Sequence, residues 1–339
     1  MNPIVTPTFN AIAAFCYGST APTLQTTSNN GITGTWSPAT ISNTASGTYN
    51  FTPTAGQCAN TASISVTVDP ASVGGTPGGN QVVCVNSAPS DITLSGFTGL
   101  VVKWQRSGDA SFASPVDINV ASAVLPGASV GAISADTFIR AVVQSGSCGS
   151  VYSSVITLSL RSTIWNGSAW SNGVPDSATT TFITGNYTAS SNLNACTVTV
   201  SNNAVVNIPT GFDVTLNGAL TVSSGSFTLE NNANFLQTTS AANSGNIVVK
   251  RNSSAIKRQD YTLWSSPVTG QNLLAFSPLT VVTPTSRFYQ YNSSTNTYNP
   301  IASPGSATFN DAQGYLIRVA NNHPTFAWIW NGQFTGVPH

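Results

Sequence analysis

FCYGSTAPTLQTTSNNGITGTW, residues 15–36, and VCVNSAPSDITLSGFTGLVVKW, residues 83–104, carry one pattern. Each sets a cysteine (Cys16, Cys84) before an Ala-Pro turn (Ala21-Pro22, Ala88-Pro89), and each places a tryptophan twenty positions after the cysteine (Trp36, Trp104). Each copy then reaches a second cysteine, Cys58 or Cys148, followed by an alternating run: ASISVTV at 62–68, SSVITLSL at 153–160. Period-two alternation marks strands with one buried face. The chain therefore reads as all-β, opening with tandem Ig-like β-sandwiches at residues 1–70 and 80–160. A Gly/Pro-rich linker at 71–79, containing GGTPGG, separates them. The matched cysteine positions make Cys16–Cys58 and Cys84–Cys148 the expected disulfides, which implies an oxidising compartment. Buried thiols acting as small hydrophobes are the alternative. Trp36 is expected to pack on the first bridge.

Composition narrows the function classes. Only 6% of the 339 residues are charged, ten basic against ten acidic, where soluble domains carry about 25%. So neutral a surface has no field to steer toward DNA, RNA or anionic lipid, and no nucleic-acid partner is expected. The 40% hydrophobic content, with seven Trp and fifteen Phe, argues for folded cores over disorder. No apolar run is long enough to span a membrane as a helix, and no membrane insertion is expected. The start, MNPIVTPTFN, lacks a signal-peptide pattern, and GVPH ends the chain without a closing strand. A truncated segment of a longer exported protein is expected.

After Arg161 the grammar changes. Asn-rich turns recur at Asn202-Asn203, Asn217-Gly218 and Asn231-Asn232, 15 and 14 residues apart, with short runs such as TVTV, VVNI, DVTL and FTLE between them. That interval suits one coil of a short β-solenoid, placed at 161–245; a meander of Asn-Gly hairpins is the competing reading. Cys196 shares parity with Val198 and Val200 and is expected to point inward as an unpaired small hydrophobe, with pairing outside this chain as the alternative. Residues 246–339, with RFYQY, GYLIRV and AWIW, read as an aromatic-rich antiparallel β domain.

No catalytic constellation stands out, and a non-enzymatic protein is expected. Glycoside hydrolysis needs two facing carboxylates; Glu230 is the one glutamate, and a pair drawn from Asp176, Asp213, Asp260 and Asp311 has no sequence support. Histidines are confined to His323 and His339, and no GxSxG elbow occurs. Asp109 and Asp117 are the two candidate calcium ligands, set against a reading as solvated loop residues; no other metal or cofactor is expected. Trp264, Tyr289, Tyr291, Trp328 and Trp330 are the candidate ligand-binding residues, since exposed rings stack on sugars. Trp165, Trp170 and Tyr298 belong to the same wider set. Each ring has a core reading beside the binding one. Trp328 and Trp330 share parity and are expected on one side.

FCYGSTAPTL, GTWSPATISNTASGTYNFTPTAGQCANTASISVTV, TIWNGSAWSNGVPDSATT, CTVTVSNNAVVNIPTG, LWSSPVTGQNLLAFSPLT and GYLIRV together cover much of the chain. In these stretches it resembles the large repetitive surface proteins and adhesins of Bacteroidota, especially flavobacteria, exported by type IX secretion. The resemblance implies a secreted or cell-surface modular adhesin with Ig-like repeats. Its expected partners are polysaccharide, host or abiotic surfaces, other surface proteins, or further copies of itself. The accessory carbohydrate-binding region of a secreted polysaccharide-degrading enzyme, or a filament subunit, are the alternatives.

Overall fold

A computed structural model describes residues 3–339. Two four-residue helical turns, Gly127–Val130 and Leu273–Phe276, are the helical segments among the described residues; the other elements are strands. The chain divides into two compact units. One comprises residues up to Gln81 together with Asn86–Ser159; the other comprises Val82–Val85 with Leu160–His339.

The first unit holds two sets of sandwich-like sheets. In the N-terminal half, Gly34–Ser37, Gly47–Pro53 and Ala62–Val66 form an antiparallel sheet, and Phe15–Cys16 pairs in parallel with Val68–Asp69. Alternate residues of this sheet are buried, and Trp36 packs against Phe9 and Phe51 at ring distances of 4.7 and 5.1 Å while donating its indole N–H to the Gln25 carbonyl. Trp104 repeats the arrangement in the second half: fully buried, it donates to the Ser122 carbonyl at 2.9 Å. Each of these two buried indoles thus has its one polar atom satisfied by a backbone acceptor.

The expected linker at 71–79 contains one bridge residue and a two-residue strand. Val73 and Thr98 exchange backbone hydrogen bonds, and Thr76–Pro77 pairs antiparallel with Leu94–Ser95. A Cβ on Gly74 would run into the Tyr152 carbonyl, and one on Gly75 (φ +72°) into that of Ser95. These glycines serve close backbone approach rather than freedom of motion.

Both expected disulfides are replaced by others. Cys16 bonds Cys148, Cys84 bonds Cys196, and Cys58 is an exposed free thiol. Cys58 lies in the turn between strands 47–53 and 62–66, whereas Cys16 is in register with Asp69, past the opposite end of that hairpin. The Asp69 carboxylate accepts hydrogen bonds from Ser147 N (2.7 Å) and Oγ (2.8 Å), which brings the loop carrying Cys148 to Cys16. Those bonds, the backbone one first, also lower the Asp69 pKa. Cys84, with Val82–Val85, belongs to the second unit, where it meets Cys196. Cys196 does point inward, fully buried, but as half of a disulfide within this chain.

Residues 161–237 form a β-solenoid of about four turns with three parallel sheets. One contains Arg161–Trp165, Thr179–Ile183, Thr197–Val200 and Leu220–Val222; a second Tyr187–Thr188, Val205–Ile208 and Ser226–Leu229; a third Leu193–Ala195, Asp213–Leu216 and Asn234–Gln237. The coil is longer than the Asn-turn interval. Val206 pairs with Phe227 and Val214 with Phe235, each 21 residues on. Asn202-Asn203, Asn217-Gly218 and Asn231-Asn232 occupy three different corners, so successive turns are two sides of a three-sided coil apart. Asparagine suits these corners because its side-chain carbonyl continues the ladder between coils. Asn186 accepts from Val205 N, Asn192 from Asp213 N and Asn231 from Asn252 N, at 2.8–3.0 Å. Inside, Val198, Val200, Val206, Ile208, Val214, Leu216 and Leu220 are fully buried, each contributing about 1.5–3 kcal/mol.

The C-terminal part continues this body. Ile247–Ile256 pairs in parallel with the coil strand at Thr228–Leu229 and antiparallel with Trp328–Pro338. That last strand is eleven residues long, so the chain does have a closing strand. One hydrophobic core runs from Ile183 through Leu229 and Val249 to Phe334, and no break falls at 245–246. At the first coil, Trp165, Trp170 and Tyr187 pack on one another at 5.2–5.6 Å. They cover the start of the core, and burial raises the Tyr187 pKa.

Candidate functional site: the outer face of the C-terminal sheet

Tyr261–Trp264, Tyr315–Arg318, Phe288–Asn292 and Thr297–Pro300 form an antiparallel sheet in that spatial order. Side chains alternate between its faces. The inner face carries Trp264, Tyr315, Ile317 and Phe288, all buried in the core with Phe276, Phe309 and Phe334.

The outer face is set by the register. Tyr261 lies opposite Arg318, Leu263 opposite Leu316, Leu316 opposite Tyr289, and Tyr291 opposite Tyr298. Arg287 continues the Tyr289/Tyr291 alternation and its carbonyl accepts from Arg318 N at 3.1 Å, which places the two arginines side by side. Tyr261, Leu263, Tyr291 and Tyr298 are 37–60% exposed. The rings form two pairs: Tyr261 edge-on to Tyr289 at 5.8 Å, and Tyr291 against Tyr298 at 5.3 Å. Arg287 Nη1 donates to the Tyr289 hydroxyl at 3.1 Å. The Tyr261 pKa is raised, by desolvation first and then by the Tyr289 hydroxyl. Near Tyr291 lies a cleft of about 490 Å³ whose lining includes Gln290, Asn292 and Asn299, which alternate to the side opposite Tyr289, Tyr291 and Tyr298.

The sequence-derived candidates therefore separate. Tyr289 and Tyr291 are on the outer face, with Tyr298. Trp264 and Trp330 are core residues, 5.1 Å apart and both against Phe276. Trp328 shares the parity of Trp330 on the same strand but is 57% exposed and stands beside Phe326, at the end of the long hairpin where it pairs with Ile256. Tyr261, Arg287 and Arg318 escaped sequence reading. The signal was present in the period-two spacing of Arg287, Tyr289 and Tyr291 and of Leu316 and Arg318.

The titratable groups elsewhere are engaged locally. Asp109 accepts from Ser107, Ser111 and Ala113, and Asp117 from Lys103 (2.7 Å) and Gln105 (2.9 Å). Asp176 bonds Arg161 and Thr179, Asp213 accepts from Asn234 N, and Asp260 from Lys257 N. Glu230 pairs with Lys250 at 2.9 Å. His323 Nε2 lies 2.9 Å from the Ile256 carbonyl. Among the described residues no three His, Cys, Asp or Glu side chains converge as a metal site would require, and no helix is long and apolar enough to cross a membrane.

The solenoid and the tyrosine-bearing sheet are matched together by one family model, that of the domain of unknown function DUF8693, over residues 159–339. The chain belongs to this family. A second model, the domain of unknown function DUF8696, matches residues 73–162, beginning at the Val73–Thr98 bridge. No curated protein matches the chain. The DUF8693 match treats the solenoid and the sheet as one inherited body, as their common core does.

Proposed function

We propose that this chain is a non-enzymatic extracellular attachment protein that holds a polysaccharide on the outer face of its C-terminal sheet. One observation carries the reading: four tyrosines and two leucines share one face of the sheet, with Tyr261, Leu263, Tyr291 and Tyr298 exposed, while Trp264, Tyr315, Ile317 and Phe288 of the opposite face are buried. Tyrosine rings offer an apolar face for a pyranose and a hydroxyl for its hydroxyls, and an open sheet suits a polymer better than a small molecule. Two disulfides support an oxidising, extracellular setting. The sandwich-like halves of the first unit, read as Ig-like modules, carry the recognition body in a secreted or surface-anchored adhesin of the type IX class.

The test is affinity electrophoresis of the full chain through gels containing neutral and acidic polysaccharides, with the double variant Tyr289→Ala/Tyr291→Ala as control. Retardation of the wild type by at least one polymer, abolished in the variant at unchanged melting temperature, is the expected result. Equal retardation of wild type and variant would place binding elsewhere. No retardation by any polymer would favour a spacer or filament role.

A further inference from the structure

Arg287 and Arg318 are the two cations whose Nε is buried without an acceptor among the described residues. Lys103, Arg161 and Lys250 each face a carboxylate. Arg287 and Arg318, adjacent across two strands, have none among the described residues. Their neutral partners are few: the Tyr289 hydroxyl for Arg287 and the Asn321 side-chain oxygen, at 2.7 Å, for Arg318. The Nε of each is buried with no acceptor. Two like charges held side by side on a half-buried face repel, and leaving guanidinium donors unmade is costly. In a chain with so few charges, such a pair is a site of uncompensated positive potential beside stacking rings.

Resting on the attachment reading above, we propose that this site selects an acidic polysaccharide, a uronate-containing chain whose carboxylate sits at Arg287 and Arg318 while flanking sugar rings lie on Tyr261 and Tyr289. A planar carboxylate matches the guanidinium fork with two parallel hydrogen bonds, the strongest arrangement open to an uncharged surface carrying isolated arginines. The neutral remainder of the face, Leu263 and Leu316, fits the apolar face of a sugar ring.

The experiment uses the full chain and three soluble polymers: polygalacturonate, the same polymer methyl-esterified, and a sulfated galactan. Affinity for polygalacturonate should exceed that for the esterified form by at least tenfold and fall as salt rises. Arg287→Gln/Arg318→Gln should erase that difference while keeping the weaker binding to the esterified polymer. Should the double variant fail to fold, the wild-type ratio of free to esterified affinity, with its salt dependence, decides alone. Equal affinity for free and esterified polymers would overturn the carboxylate site and leave the attachment reading intact. Preference for the sulfated galactan would overturn the choice of anion. Binding to none of the three, nor to any neutral polymer, would overturn both.

Discussion

Cys58 and Asp176 show how far single residues obey local chemistry. Cys58 is exposed at a turn with φ +47°, and the other four cysteines are bridged. The native chain should therefore take up one equivalent of maleimide, at Cys58, and non-reducing peptide mapping should return Cys16–Cys148 and Cys84–Cys196. A Cys16–Cys58 peptide would refute the pairing. Asp176 is held at about 2, first by the hydrogen bond from Arg161 and then by that from Thr179. Its folded pKa lies below the unfolded value of about 3.9, so the bond supports the fold above pH ~4 and is lost as pH falls toward ~2. Asp176→Asn should flatten the acid limb of the stability profile over that window. At neutral pH the loss should stay under about 1 kcal/mol, because the carboxylate is largely exposed. Urea midpoints of both proteins between pH 2 and 5 give the comparison; parallel acid limbs would contradict the assignment.

At the scale of elements, the solenoid is the best test of packing. Phe227 is fully buried on a middle strand of its sheet, between Val206 and the Ile247–Ile256 strand. Phe227→Ala should cost about 3–5 kcal/mol, read from chemical unfolding. Leu236→Ala, on an exposed side chain of the same coil, should change stability by no more than about 0.5 kcal/mol. Strand placement was legible in the sequence wherever period-two alternation was clean, as at 62–66, 197–200 and 213–216. Coil length was not legible, because Asn turns at successive corners imitate a shorter repeat. Nor was the strand at Thr76–Pro77, since glycines required for close packing look like those of a flexible linker. Of the candidate site, the tyrosines were visible as aromatics. Which rings face solvent depends on register across strands up to 57 residues apart, such as Tyr261 and Arg318, and no local pattern encodes that.

For the whole molecule, the two bridges overlap in chain order, Cys16–Cys148 spanning 132 residues and Cys84–Cys196 spanning 112. The matched cysteine pattern pointed to closure within each module, but proximity is decided by how consecutive segments meet, through contacts such as Asp69 to Ser147. Loops of this size limit the unfolded chain by about 4–5 kcal/mol each in the entropic description. Full reduction should therefore lower the melting temperature by several degrees, measured by calorimetry; an unchanged transition would mean that the bridges do not stabilise the fold. The proposed polysaccharide-binding surface is the outer tyrosine face. Hydroxyl-radical footprinting of the full chain, alone and saturated with polygalacturonate, tests it most directly. Protection should appear at Tyr261, Tyr289, Tyr291 and Tyr298 and be absent at the exposed Tyr17 and Tyr152. Protection centred instead on Phe326 and Trp328, or unchanged oxidation at all four tyrosines, would contradict it.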